Sequence, residues 1–147
     1  MNKALLEELL QRIDAEAGGY VDPGKCIALG VRLFLHTARA HRALALFLAA
    51  HGMQAAGRSM RLHDRLAPYM EAGRRSARFS DLPTEVALDL VAAITHAAVL
   101  RMLAGGEPDD YPEEMTAALL RGLGVPWLEA QRLVRITLPT LHVPLPA

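Results

Sequence analysis

The stretch from Pro83 to Ala104 sets the tightest limit on what this chain can become. Val86, Leu90, Ala93, Ala97 and Leu100 recur along one side of a helix drawn through it, and Val91, Thr95, Ala98 and Met102 along another. Residues three and four apart share a helical face, so the segment reads as one long helix with two apolar faces. A single domain core needs only one such face, and the second implies another burial partner. Pro83 fits a first turn, Asp81 offers a capping oxygen and Gly105-Gly106 ends the helix, which would span about 30 Å, the width of a small domain.

The rest of the chain is punctuated in the same way. Leu5, Leu6, Leu9, Leu10 and Ile13 repeat at helical spacing over 3–17, with Asn2 as cap and Gly18-Gly19 as stop. After a turn at Asp22-Pro23-Gly24, residues 25–40 are apolar almost all round, as expected of a central helix surrounded by others. A short helix follows over 43–50. The next, over 54–76, has Pro68 inside it, expected to kink or split it, and places Arg58, Arg61, Asp64 and Arg65 on its wet side, with Glu71 paired to Arg75. Asp110 and Glu113 resemble a capping box for a helix over 111–121, and a last amphipathic stretch covers 126–138. No segment alternates with period two, and no repeat is visible. The expected fold is all-α, a bundle of about six to seven helices forming one domain over 1–147.

Composition narrows the function. With 147 residues, 52% of them hydrophobic and 22% charged, the chain can build its own core. Its formal net charge is +0, so it lacks the basic excess with which nucleic-acid binders neutralise phosphates. Cys26 is the only cysteine, which rules out an internal disulfide and fits a cytoplasmic setting. The longest unbroken apolar run, Ala43 to Ala50, falls far short of the roughly 20 residues of a membrane span, and the first residues do not read as a signal peptide.

Chemical motifs are absent. No two histidines stand at i and i+4, and no glutamate has a histidine three residues on, which leaves no metal expected; Glu85, Asp89 and His96 share a stripe that reads as solvated or interfacial. Ser59, Ser76 and Ser80 lie outside any nucleophile elbow, and Cys26 sits in an apolar run where thiols are inert. Nothing points to an enzyme or to a cofactor.

Two blocks carry a family resemblance. Leu66-Ala67-Pro68-Tyr69-Met70-Glu71-Ala72-Gly73-Arg74 through Arg78-Phe79, followed by Asp81-Leu82-Pro83-Thr84-Glu85, resembles the regulatory half of the TetR/AcrR family, where a Glu-Ala-Gly-Arg turn precedes the long dimerisation helix. Ala118 to Pro126, followed by Glu129-Ala130, is similar to the ending of many members, and Asn2 to Leu6 to the segment after the family's helix-turn-helix. The likeness covers about residues 2–138, with one departure: the family often has a second glycine four residues after the first, and here that position is Ala77.

The resemblance implies a C-terminal ligand-binding and dimerisation domain. A small, mostly apolar effector would bind among the helices over 25–50, 54–76 and 83–104, shift the first helix and release operator DNA. That DNA would be held by a helix-turn-helix not present in these residues, the chain being either a piece of a longer repressor or a stand-alone remnant. Polar groups within apolar faces are the candidate contacts: His36, Tyr69, Thr95 and His96, with Phe34, Phe47 and Met60 as walls. Each also has a plain reading as a core residue. Val86, Leu90, Ala93, Ala97 and Leu100, together with Leu119, are expected to form a four-helix seam in a homodimer. The alternative is a helical protein-interaction module without a small-molecule ligand.

Overall fold

The computed structural model describes residues 1–52 and 62–145. Within them lie seven helices and no strand: α1 (Lys3–Ala17), α2 (Pro23–Ala40), α3 (Arg42–His51), α4 (Leu62–Arg75), α5 (Thr84–Ala104), α6 (Tyr111–Gly122) and α7 (Trp127–Leu133). The first part of the helix expected over 54–76, with Met60, Arg58 and Arg61, lies outside the described residues.

Local chemistry sets most helix limits. The Asn2 side chain accepts from the Leu5 amide at 2.9 Å, and Gly18 closes α1. Asp22 does more than turn the chain: it caps α2 by accepting from the Gly24 amide at 2.8 Å, with Pro23 in the first turn. α4 runs through Pro68 unsplit, and that proline is exposed.

Three expected caps and pairs are replaced by other contacts. Asp81 does not cap α5; the helix starts after Pro83, where the Thr84 hydroxyl donates to Glu71, and Asp81 reaches towards Arg74 instead. Glu71 pairs with Arg74 at 2.7 Å rather than with Arg75. The Asp110–Glu113 capping box does not form, because Glu113 turns inward to Arg32 and His36. α7 is also shorter than expected. Beyond it the Ile136 carbonyl accepts from Arg32 at 2.7 Å, and Leu138 precedes Pro139, where helical backbone is disfavoured.

α2 is the axis of the bundle and packs against all six other helices. Its buried residues occupy nearly its whole circumference, from Cys26 and Ile27 to Thr37 and Ala38. α5 is the only described helix long and apolar enough to cross a membrane, yet Ala87, Val91, Ala92, Thr95, Ala98 and Val99 are buried where it meets α2, α3, α4 and α6. It is a core helix. Its other side leaves Val86 at 49% and Leu100 at 46% exposure, with Ala93 and Ala97 exposed between them. The two apolar faces are both there, and the second stays exposed.

The turn after α4 keeps its geometry without the second glycine. Ala77 takes φ 58°, in the left-handed region that costs a residue with a Cβ about 1 kcal/mol. Ala77→Gly should therefore raise the unfolding free energy by about that amount, read by urea titration. Arg78, one residue on, ties three elements together. It donates to both oxygens of Asp22 at 3.0 and 2.8 Å and to Glu129 at 2.7 Å.

Candidate functional site

A cavity of about 80 Å³ opens where α1, α2, α4 and α5 meet. A water needs roughly 10–15 Å³ measured in this way, so the space takes a handful of heavy atoms, the size of a single small ring. α1 supplies Leu10, Ile13, Asp14 and Ala17; α2 supplies Cys26, Ile27, Gly30, Val31 and Phe34; Arg65, Leu66 and Tyr69 come from α4, and Val91 and Thr95 from α5. Spacings of three and four residues put each set on one helical face.

The polar atoms of the lining are few. Tyr69 Oη donates to Asp14 Oδ1 at 2.7 Å, across 55 residues of sequence. The stop of α1 at Gly18 makes room for that bond, since a Cβ there would stand 2.5 Å from Tyr69 Oη. Burial, then the hydrogen bond to Asp14, push the Tyr69 hydroxyl well above its ordinary pKa, so it remains a donor. Thr95 Oγ1 donates to the Val91 carbonyl at 2.7 Å. Cys26 donates to the Tyr20 carbonyl, and burial pushes its thiol up, which keeps it unreactive. Arg65 reaches Glu7 of α1 at 2.5 Å, while its Nε is buried without a hydrogen-bond partner among the described residues.

Of the candidate contacts named from sequence, Phe34, Tyr69 and Thr95 line this cavity. His36, Phe47 and His96 are not part of its lining. His36 points from another face of α2 into an ion cluster: its Nδ1 accepts from Arg39 at 3.2 Å, so Nε2 carries the proton given to Glu113 at 2.8 Å. Phe47 stacks on His51 with ring centroids 4.3 Å apart. His96 is half-buried beside the exposed stripe of α5, its Nδ1 without a hydrogen-bond partner among the described residues. Met60 lies outside the described residues. Asp14 and Arg65 are the charged lining residues, and sequence reasoning missed both along with most of the apolar wall. Among the described residues, no three His, Cys, Asp or Glu side chains converge as metal ligands.

Leu119 does not face outward with the α5 stripe. It is 0% exposed within the protomer, together with Leu120 and Leu123, and α6 presents Ala118 to solvent instead.

The cluster at Glu113 has a consequence for acid stability. Burial alone would raise this carboxyl, but the hydrogen bonds from His36 and Arg32 outweigh it and hold the pKa below 4.5. Glu129 is lowered further, to about 2, by hydrogen bonds from Arg132 and Arg78. Both groups are harder to protonate folded than unfolded, so their contribution is complete above the ordinary carboxylate range and is lost as pH falls below it. Urea midpoints measured from pH 6 downward should fall, and the combined Glu113→Gln and Glu129→Gln variant should show a shallower fall from a lower plateau.

Comparison with known proteins places this arrangement. The family model described as "Tetracyclin repressor-like, C-terminal domain" matches residues 22–136. This chain belongs to that family. Its members are regulators, not enzymes as a class. The fold of this TetR-type domain is shared with RolR in complex with resorcinol, at TM-score 0.80 and 20% identity over 95% of this chain and 70% of that one. RolR without ligand gives TM-score 0.73 at 19% identity, over 95% of this chain and 74% of that one. No curated protein matches by sequence.

Proposed function

We propose that this domain is the ligand-sensing and dimerising half of a cytoplasmic TetR-type transcriptional regulator. Its effector is small and mostly apolar. The observation that carries the reading is the cavity itself: a ring-sized, apolar space inside the bundle with α1 as one wall. The fold shared with RolR, which has been captured with resorcinol, adds support. Because Leu10, Ile13, Asp14 and Ala17 of α1 form that wall, an occupant bears on the position of α1 relative to α2 and α4. A ligand that binds one position of α1 better than another shifts the balance by that difference alone. In this reading α1 leads to a helix-turn-helix, and the shift lowers affinity for operator DNA.

The domain works as a homodimer. Val86, Ala93, Ala97 and Leu100 form a stripe of small and aliphatic residues about four turns long, and small residues let a second copy of the helix approach closely. A two-fold pairing buries the same stripe on both copies, with Leu90 at its margin.

Calorimetric titration with resorcinol and with toluene tests the ligand reading. Both should bind. Gly30→Ala should weaken binding of both while stabilising the protein by about 1 kcal/mol, because a helix-interior glycine gains a methyl group. That methyl meets only Ala17 Cβ at 3.6 Å and Ile13 Cγ2 at 3.9 Å, ordinary contacts, and takes up part of the cavity. Binding of neither probe at millimolar concentration would reject the reading and leave a helical interaction module.

A further inference from the structure

We infer that residues 136–145 form a strap that fastens α1 along the edge away from α4, and that releasing this strap frees α1 without opening the rest of the bundle. That α1 carries a signal rests on the ligand-sensing reading; that the strap holds α1 does not, and its test needs no ligand.

The other helices hold α1 thinly. Among the described residues only α2 packs closely along it. α4 reaches it through two side-chain bonds, Arg65 to Glu7 at 2.5 Å and Tyr69 to Asp14 at 2.7 Å. Glu7 and Asp14 stand two helical turns apart and so share one edge of α1. Arg12 follows Glu7 by five positions, roughly 140° around the helix, which puts it on the other edge. There its Nη1 donates to the His142 carbonyl at 3.3 Å, while Nη2 pairs with Glu8 of the same helix at 2.7 Å.

The segment that arrives at Arg12 starts from a buried anchor. The Ile136 carbonyl accepts from Arg32 of α2 at 2.7 Å, and that guanidinium, 6% exposed, is itself held by Glu113 at 2.9 Å. From Ile136 to His142 the chain passes from α2 to α1 without forming a helix. Thr137, Thr140 and His142 are exposed along this course, whereas Leu138, Leu141 and Val143 are half-buried and pack on the hydrophobic core. Leu9, three residues before Arg12, is 0% exposed, so this edge of α1 is covered.

Two carbonyl bonds and a few half-buried aliphatic side chains are a light fastening beside α2, which is buried nearly all round. Proteins open in cooperative units smaller than the whole fold, and the units with the fewest buried contacts open first. α1 and the strap lie side by side at the margin of the bundle, and together they make such a unit.

Amide-resolved hydrogen exchange on the full 147-residue chain tests this. Leu141→Ser with Val143→Ser loosens the apolar grip and should speed exchange across α1 by at least about tenfold, the worth of two half-buried aliphatic side chains. Val99→Ala is the comparison, a cavity in the core at a residue of α5 that is 0% exposed. It weakens the fold as a whole, so it should speed the slowest amides of α2 and leave α1 at the parent rate. Arg12→Gln, at an exposed position, should speed α1 at least about twofold more than Glu8→Gln, which breaks only the pair within the helix. Exchange of α1 that is unchanged in the double variant, or equally fast in Val99→Ala, overturns the strap. So does a double variant that fails to fold while Arg12→Gln matches Glu8→Gln; if it fails to fold and Arg12→Gln exceeds Glu8→Gln, the strap stands. Binding of resorcinol or toluene is measured separately, so ligand sensing stands or falls on its own.

Discussion

Gly73→Ala should destabilise the protein by at least about 3 kcal/mol, the cost of losing a buried phenylalanine, and lower its melting temperature by about 10 °C. A Cβ at Gly73 would stand 1.9 Å from Phe79 Cδ2, 2.4 Å from Cε2 and 2.6 Å from Cγ, deep inside van der Waals distance. The ring cannot simply swing clear. Phe79 is 6% exposed, and its amide donates to the Gly73 carbonyl at 2.9 Å, which fastens the two backbones together. The methyl group must therefore expel the ring or open the turn that joins α4 to α5. A double-mutant cycle separates these outcomes. If the ring is the obstacle, Gly73→Ala costs little in a Phe79→Ala background, and the double variant is about as stable as Phe79→Ala alone. A Gly73→Ala protein that melts with the parent contradicts the packing of this turn.

Ala97→Glu should convert the proposed homodimer into a monomer. Ala97 is exposed in the protomer, so a glutamate there is tolerated by the isolated fold, and circular dichroism should be unchanged. In a two-fold seam the change enters twice and places carboxylates in an apolar contact without partners. Weakening of association by at least about a hundredfold is expected from penalties of that kind. Sedimentation velocity reads it directly: the parent runs as a dimer, Ala97→Glu as a monomer, and Gln11→Glu on the exposed side of α1 as a dimer still. A parent that sediments as a monomer, or a variant that does not dissociate, removes α5 from the interface.

The helices were legible because their limits depend on neighbours in sequence. Lys3–Ala17 follows from Asn2, the leucine spacing and Gly18, and the ends of α5 follow from Pro83 and Gly105. The two apolar faces of α5 were legible for the same reason, since periodicity alone assigns residues to faces. What escaped depends on residues far apart in the chain. Glu113 has the spacing of a capping box with Asp110, but Arg32, 81 residues away, claims its carboxylate. Arg65 reads as a solvated residue because its neighbours in sequence are charged. It lines the cavity together with Leu66 and Tyr69, and its tip reaches Glu7, 58 residues earlier. Asp14 sits among the polar positions of α1, and only the arrival of Tyr69 makes it part of the site. His36 is the opposite case, a polar group in an apolar run whose ring meets Glu113 and Arg39 and does not line this cavity. Leu119 was misplaced by one residue of helical register, which exchanges an outward Ala118 for an inward leucine.

Methyl-resolved NMR during a resorcinol titration tests the central claim most directly, because it reports where the occupant sits as well as whether it binds. The account predicts shifts concentrated at Leu10, Ile13, Ile27, Val31, Val91 and Thr95, with the outward methyl groups of Val86 and Leu100 unmoved. Shifts confined to the outward stripe, or none at saturating ligand, would contradict it.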